Sequence, residues 1–229
     1  MKKTCLNLVV AAAALCAGHV GAQTNTTAQD LINAGAVGRT TAAVHGIDFS
    51  AQGGSFASKT VAGVTAIGVA GGASGGEIDI GQSITASFAS RIAIASFSLA
   101  FLFDGPEFGD VREVARVSLL GTDQVGLLTA TGATSAIWSL GGLVTNLSPG
   151  TEQGAGAWTV SNPFGSTAGS GLRFEALAGL PGPGCNGCSN QSDYSVLSVS
   201  PVPEPSTYAL MAAGLLAVGW VVRRRRPQA

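Results

Sequence analysis

Charged side chains are scarce in this chain of 229 residues, where Asp, Glu, Lys and Arg together make up 11%. All 13 acidic residues lie between Asp30 and Glu204, and six of the 12 basic residues lie in the terminal segments. The stretch 23–205 therefore carries a net charge of about −7. Nucleic-acid binding needs clustered Lys and Arg opposite the phosphates, so nucleic acid is excluded as a partner.

The side chains and motifs typical of common catalytic sites are also lacking. His45 is the only histidine beyond the first 22 residues, which excludes zinc sites built from several histidines and leaves one base for any Ser-His pair. No G-x-S-x-G motif is present. A glycosidase needs two carboxylates across a cleft, and acids are available, but their positions in the sequence do not single out such a pair. We expect a protein that is not an enzyme and needs no cofactor.

Helical periodicity is nearly missing, and only Ala28–Val37 shows a weak, short helical stripe. The chain instead has 33 glycines, 46% apolar residues and many runs that alternate with period two. No internal repeat of fixed period is seen, which disfavours a solenoid. These patterns predict an all-β fold, a β-sandwich or jelly roll, over 23–201.

Individual strands are predicted from alternation. Ile78 and Ile80 are expected to share a face, as are Ile92 and Ile94. The series Phe97, Leu99, Phe101 and Phe103 alternates on the other parity, which predicts a β-bulge near Ala95-Ser96. The series Val111, Ala115, Val117 and Leu119 is interrupted by Glu113. Further strands are predicted at 127–131, 136–140, 157–160, 172–176 and 194–199, and exposed connections at 23–33 and 148–156.

Cys185 and Cys188 enclose an Asn-Gly pair between Gly- and Pro-rich segments. A small structural disulfide loop is the favoured interpretation, because Asn-Gly favours the tight turn that such a loop needs. Free thiols, metal binding and redox chemistry are weaker alternatives. A redox pair needs a helix that starts at the first cysteine, and no helical pattern follows here.

Asp104, Glu107 and Asp110 place three carboxylates in one turn between apolar strands. Clustered carboxylates are typical of Ca²⁺ sites, but the spacing matches no defined calcium loop. A solvated turn is therefore favoured, with calcium as a weak alternative and no other metal expected. Glu77-Ile78-Asp79 is a weaker candidate of the same kind.

The N-terminus resembles a secretion signal. Lys2 and Lys3 precede an apolar stretch from Leu6 to Val20, and Val20-Gly21-Ala22 offers small residues to a signal peptidase. We expect residues 1–22 to form the signal helix and to be removed after Ala22.

The C-terminal segment 207–222 has no charged residue and is followed by Arg223, Arg224, Arg225 and Arg226. A helix of this length rises about 24 Å, slightly less than the roughly 30 Å hydrocarbon core, and snorkelling arginines can bridge the difference. Four arginines favour the cytoplasmic side. We expect a transmembrane helix that anchors an exported domain in the inner membrane.

Pro203, Glu204 and Pro205 lie just before this segment and keep the chain extended. The Pro-Glu-Pro-Ser sequence, the short apolar helix and the basic end together resemble the tail of PEP-CTERM proteins over Pro203 to Ala229. The resemblance implies that an exosortase, a membrane enzyme, recognises Pro203, Glu204 and Pro205 and processes the chain in a Gram-negative bacterium that makes exopolysaccharide.

The predicted organisation is thus a signal peptide (1–22), an ectodomain (23–201) and a sorting tail (202–229), ending at the cell surface or outside the cell. The favoured role is structural or adhesive. The alternative is a module that binds or acts on exopolysaccharide, and this alternative predicts that some of Trp138, Trp158 and Tyr194 stand exposed beside acids.

Overall fold

Antiparallel β-strands dominate the computed structural model, which describes residues 25–104, 110–148, 154–181, 192–202, 213–216 and 218. A short helix, α1 (Ala28–Asn33), follows the first strand. The strands are β1 (Thr26–Thr27), β2 (Thr41–Val44), β3 (Ile47–Gln52), β4 (Phe56–Val61), β5 (Val64–Val69), β6 (Ser83–Ile92), β7 (Ile94–Ala100), β8 (Asp110–Leu120), β9 (Val125–Gly132), β10 (Ser135–Trp138), β11 (Leu143–Asn146), β12 (Trp158–Ser161), β13 (Gly169–Pro181) and β14 (Ser195–Pro201).

The strands form two antiparallel sheets, and the described residues of 25–202 make one compact unit. Sheet A has the order β11-β12-β7-β14-β5-β4, with β1 paired to β14, and sheet B has the order β10-β9-β8-β13-β6-β3-β2. Phe97 of sheet A contacts Trp138 and Phe174 of sheet B edge to face, with ring centroids 5.3 and 5.8 Å apart. The two sheets therefore share one apolar core, and the all-β prediction is confirmed.

A second, smaller apolar cluster lies apart from this core. It contains Ala66, Ala100, Phe101, Ala155 and Ala157, all fully buried. Ile67 and Val69 of β5 face the core, and side chains alternate along a strand, so Ala66 and this cluster lie on the outer face of sheet A.

The chain crosses from sheet B to sheet A at Ala93, between β6 and β7. Ile92 and Ile94 are both buried, but they belong to different sheets. Along β7 and β14, Ser96 is paired with Ser200 and Ile94 with Pro201, so Ala95 is the extra residue of a bulge. The bulge predicted near Ala95-Ser96 is confirmed, and it moves Phe97 and Leu99 onto the core side.

Four strands between residues 41 and 69 were not among those predicted. His45-Gly46 and Ala62-Gly63 form two-residue hairpin turns with positive φ at every position, 52°, 77°, 49° and 81° in chain order. Such turns match the twist of the strands they join. His45 is exposed in its turn and its Nδ1 lies 3.3 Å from Oγ1 of Thr26.

Some predictions about individual residues were wrong. Ile80 is 48% exposed while Ile78 is fully buried, because the chain turns at 79–82 and the N–H of Gln82 donates to the carbonyl of Asp79. Phe101 does not share the core with Phe97 and Leu99. Its φ of 67° ends the alternation and places the ring in the outer cluster.

The two predicted exposed connections are partly buried. Thr26 pairs with β14, and Ala28 and Leu31 of α1 enter the core, because the capping box between Thr27 and Asp30 starts a helix there. The Thr27 hydroxyl donates to Asp30 and, with the Thr27 N–H, lowers the pKa of that carboxyl. Residues 154–156 are buried, while 149–153 lie outside the described residues.

In the tail, residues 213–216 and 218 are helical, and Leu215, Leu216 and Val218 are exposed. Within the part of the chain that the structure describes, no helix has the length and apolar character needed to cross a membrane. Most of the predicted segment 207–222, like the signal segment 1–22, lies outside the described residues.

Candidate functional site

A group of buried acidic side chains forms around an isolated pairing between Ile78 and Tyr194. The N–H of Ile78 donates to the carbonyl of Tyr194 at 2.6 Å. In this antiparallel pairing Asp79 stands opposite Asp193, and Glu77 lies diagonal to it. Neighbouring side chains of an extended chain point to opposite faces. Because the side chains of Ile78 and Tyr194 lie in the core, the three carboxyl groups lie on the opposite face. Glu77, Asp79 and Asp193 are 3–5% exposed.

Lys59 of β4 completes this group, which we call the acidic cluster (Lys59, Glu77, Asp79 and Asp193). Its Nζ forms an ion pair with Oε1 of Glu77 and donates to the carbonyl of Ser74 at 3.2 Å. The same Nζ lies 5.9 Å from the centre of the Phe101 ring, within cation–π range. Lys59 pairs with Ala66 across β4 and β5, so it projects from the outer face of sheet A.

Gly68 of β5 allows this arrangement. A Cβ at position 68 would lie 2.2 Å from the carbonyl oxygen of Gly76 and 2.5 Å from Cα of Glu77. The backbone that carries Glu77 therefore passes directly over β5, where only a residue without a side chain leaves room. This close approach is what brings Glu77 within reach of Lys59.

Asp79 forms hydrogen bonds with Ser74 and Gln82, whereas Glu77 forms the ion pair with Lys59. Its Oδ2 accepts from the hydroxyl of Ser74 at 2.9 Å, and its Oδ1 accepts from the Ser74 N–H at 3.2 Å. The Asp79 N–H donates to the side-chain oxygen of Gln82, whose amide group donates to the carbonyls of Gly53 and Ala70. Asp79 and Gln82 thus fasten the glycine-rich loop 71–76 to the end of sheet A.

Asp193 is the member of the cluster with an altered titration. Burial, a hydrogen bond with Glu77 and the negative charges of Glu77 and Asp79 together raise the pKa of its carboxyl to about 8, and the positive charge of Lys59 opposes them. Asp193 therefore keeps its proton at neutral pH and stands beside the Glu77 carboxylate as a hydrogen-bond donor. Chemically, the acidic cluster can store a proton next to an ammonium group.

A substrate has little access to this group, because each of its carboxylic side chains is almost fully buried. Among the residues that the structure describes, no three His, Cys, Asp or Glu side chains are placed to hold a metal ion. At Glu77-Ile78-Asp79, the weaker candidate for a calcium site, the structure shows an ion pair between Glu77 and Lys59.

The turn predicted as a weak calcium candidate is only partly described. Asp104 is exposed, Asp110 begins β8, and Glu107 lies outside the described residues. Glu113, the polar interruption of the predicted strand, is 1% exposed, and its carboxylate accepts from the N–H of Phe103. This hydrogen bond connects the segment that follows β7 to β8.

Several other candidate residues lie outside the described part of the chain. They are Cys185 and Cys188 of the predicted disulfide, Pro203, Glu204 and Pro205 of the sorting motif, and Arg223, Arg224, Arg225 and Arg226 of the basic end. Those predictions stay as they were made.

The aromatic residues on which the carbohydrate alternative depends are buried. Trp138, Trp158 and Tyr194 are 3%, 2% and 0% exposed. Their polar atoms are satisfied inside the domain, since Nε1 of Trp138 donates to the Pro163 carbonyl and Nε1 of Trp158 to the Leu102 carbonyl, both at 2.8 Å. The exposure that the carbohydrate alternative predicts for some of them is therefore not found.

A shallow groove of about 460 Å³ lies beside α1, between β5, β7 and β14. Its walls contain neither an aromatic ring nor a charged group and consist of Asn25, Thr27, Ala28, Gln29, Thr65, Ser98, Leu147, Leu197 and Ser198. Sugar rings are usually held by stacking on aromatic faces, which this groove does not offer.

Sequence reasoning singled out Glu77 and Asp79 but missed Lys59 and Asp193. The alternation of polar and apolar residues in Glu77-Ile78-Asp79 and Asp193-Tyr194 is a signal for two short extended segments. Nothing in the sequence indicates that these segments pair with each other across more than 110 residues.

Comparison with known proteins bears on the tail. No curated protein and no solved structure matches the chain. The family model described as the PEP-CTERM protein-sorting motif matches residues 201–226. The resemblance predicted from Pro203 to Ala229 is thereby confirmed, and the chain ends in a tail of the PEP-CTERM type, which indicates an exported protein that an exosortase sorts to the cell surface.

Proposed function

We propose that this chain is a non-enzymatic surface or matrix protein with a structural or adhesive role. The observation that supports the export step is the sorting motif at 201–226. The absence of enzymatic activity is supported by the described domain, in which the acids of the acidic cluster and the tryptophans are closed off from solvent.

The proposed route uses three segments. Residues 1–22 direct secretion and are removed by signal peptidase, 23–201 fold outside the inner membrane, and 202–229 hold the chain until processing. The apolar segment 207–222 anchors the tail, and Arg223 to Arg226 keep its end in the cytoplasm. Cleavage near Pro203 to Pro205 then frees the ectodomain or transfers it to the surface.

Processing is tested by expressing the full chain in a Gram-negative strain with an exosortase and in the same strain without it. Mass spectrometry of the C-terminus is expected to show a truncated chain in the first strain and an intact Ala229 in the second. Replacing Pro203, Glu204 and Pro205 together by Ala should leave the intact form in both strains. Pro227→Ala, beyond the arginines, is the matched control and should be processed normally. An intact C-terminus in the strain with the enzyme would overturn the proposed route.

The role after processing is tested in the same strains by fractionation. The processed protein is expected in the surface or matrix fraction, and its deletion should reduce cell cohesion. Incubating the purified processed protein with the strain's own exopolysaccharide separates the alternatives. Saturable binding, or release of reducing ends from the polysaccharide, would replace the structural role by the carbohydrate-directed one.

A further inference from the structure

Large apolar side chains are exposed mainly in one short stretch of the domain. Within the described residues of 25–202, seven are exposed, and four of them fall between positions 137 and 147. These four are Ile137, Leu140, Leu143 and Leu147, with exposures of 60%, 46%, 69% and 44%. Clustered apolar exposure of this kind marks an interaction surface.

Among the strands that the structure describes, this stretch also forms one open edge of each sheet. β10 ends sheet B and β11 ends sheet A, and the turn containing Leu140 joins them. Proteins usually protect such edges with Lys, Pro or a covering segment. Here the 28 residues from 124 to 151 contain no charged side chain, and β10, the turn and β11 contain no proline.

The ladder of β11 shows which backbone groups face outward. The N–H of Leu147 donates to the carbonyl of Ala157 at 2.8 Å, so Leu147 and its alternate neighbours Thr145 and Leu143 direct their peptide groups toward β12. The peptide groups of Val144 and Asn146 then point to the open side. A strand added at this edge can bond to both.

We propose that this edge binds a second copy of the chain through antiparallel pairing of β11 with β11. A twofold axis at Thr145 places Val144 of one copy opposite Asn146 of the other, where their outward peptide groups exchange hydrogen bonds. The same register places Leu143 opposite Leu147, so the exposed leucines cover each other on one face. Sheet A of each copy continues into the other.

The edge is complementary to itself, which favours a second copy as the occupant, because the twofold pairing sets outward peptide groups opposite each other and leucine against leucine. The stretch 23–205 carries a net charge of about −7, so two copies repel each other over most of their surfaces. The uncharged edge is where they can approach with the least repulsion. This association goes beyond the proposed function and does not depend on it, since the pairing uses no residue of the sorting tail.

The test is the molar mass of the compact unit 23–202, measured by sedimentation over a range of concentrations. The wild type should pass from monomer to dimer as the concentration rises. Thr145 lies on the proposed twofold axis, so Thr145→Lys sets the new charges of the two copies directly opposite each other. This substitution should raise the dimer dissociation constant at least about tenfold. Thr41→Lys is the matched control, because Thr41 is an exposed threonine on β2, the opposite edge of sheet B. It should leave the constant unchanged.

A crosslink tests the register. At the non-hydrogen-bonded twofold pair the Cα atoms are about 4.5 Å apart, within the range of a disulfide. Thr145→Cys should therefore give a covalent dimer under mild oxidation, and Thr41→Cys should not. A wild type that remains monomeric at all concentrations, or a dimer that Thr145→Lys does not weaken, would overturn the proposal. Equal circular dichroism spectra of the variants show that each is folded.

Discussion

Replacing Asp193 by Asn should change how the stability of the domain depends on pH. In the folded protein the Asp193 carboxyl holds its proton up to about pH 8, whereas in the unfolded chain it loses the proton near its ordinary pKa of 3.8. Between these values the unfolded state binds fewer protons, so the free energy of unfolding of the wild type falls as the pH rises. Above about pH 8 both states have lost the proton and the decline levels off.

The steepness of the pH dependence has an upper limit, because Asp193 binds a single proton. One proton contributes at most about 1.4 kcal/mol per pH unit to the slope. The positive charge of Lys59 favours the ionised carboxylate and reduces the slope, and we expect the wild type to lose about 2 kcal/mol relative to Asp193→Asn between about pH 5 and pH 8. The Asn amide retains a donor for the hydrogen bond to Glu77, so the fold should be kept.

Urea denaturation at a series of pH values measures the difference. Asp48→Asn, which removes an exposed carboxyl on β3, is the control for a simple change of net charge. Curves of unfolding free energy against pH that run parallel for the wild type and Asp193→Asn would refute the reasoning, because they would mean that Asp193 does not hold a proton in the folded state.

Three further predictions concern packing, two of them beside the acidic cluster and one in the core between the sheets. Lys59→Met leaves the buried Glu77 carboxylate without its ion pair and should lower the free energy of unfolding by about 2–4 kcal/mol in urea titrations, and adding Glu77→Gln should restore most of the loss. Gly68→Ala forces a Cβ against the backbone of Gly76 and Glu77 and should cost at least about 2 kcal/mol, whereas Ala57→Gly on the paired position of β4 should cost less than about 1 kcal/mol, both measured by thermal melting. Trp138→Ala removes the ring that packs between Phe97 and Phe164 and should cost about 3–5 kcal/mol, and Ile137→Ala at the exposed neighbouring position should be nearly neutral in the same assay.

Period-two alternation was sufficient for much of the fold. It predicted the strands around Phe97, Val117 and Leu172, and the change of parity before Phe97 predicted the bulge that the pairing of β7 with β14 contains. It failed where the backbone leaves the extended conformation. The turn after Asp79 exposes Ile80, and the positive φ at Phe101 moves that ring to the other side of sheet A.

The acidic cluster could not be predicted, because its members come from separate parts of the chain. Lys59 and Glu77 meet only because the loop before Glu77 crosses over Gly68, and Asp193 joins them only through the pairing of Ile78 with Tyr194. The burial of Trp138 and Trp158 likewise depends on both sheets closing around them, which no local pattern encodes.

By itself the sequence determined the destination of the protein and its class of fold. A sorting motif is a contiguous stretch that another protein recognises, and alternation is a local property of the strand, so both can be found without the rest of the fold. Tertiary structure decided which charges share a buried site, which aromatic rings are hidden and which strand edges stay open. Those features depend on contacts between residues far apart in the chain, and such contacts exist only after the two sheets have packed.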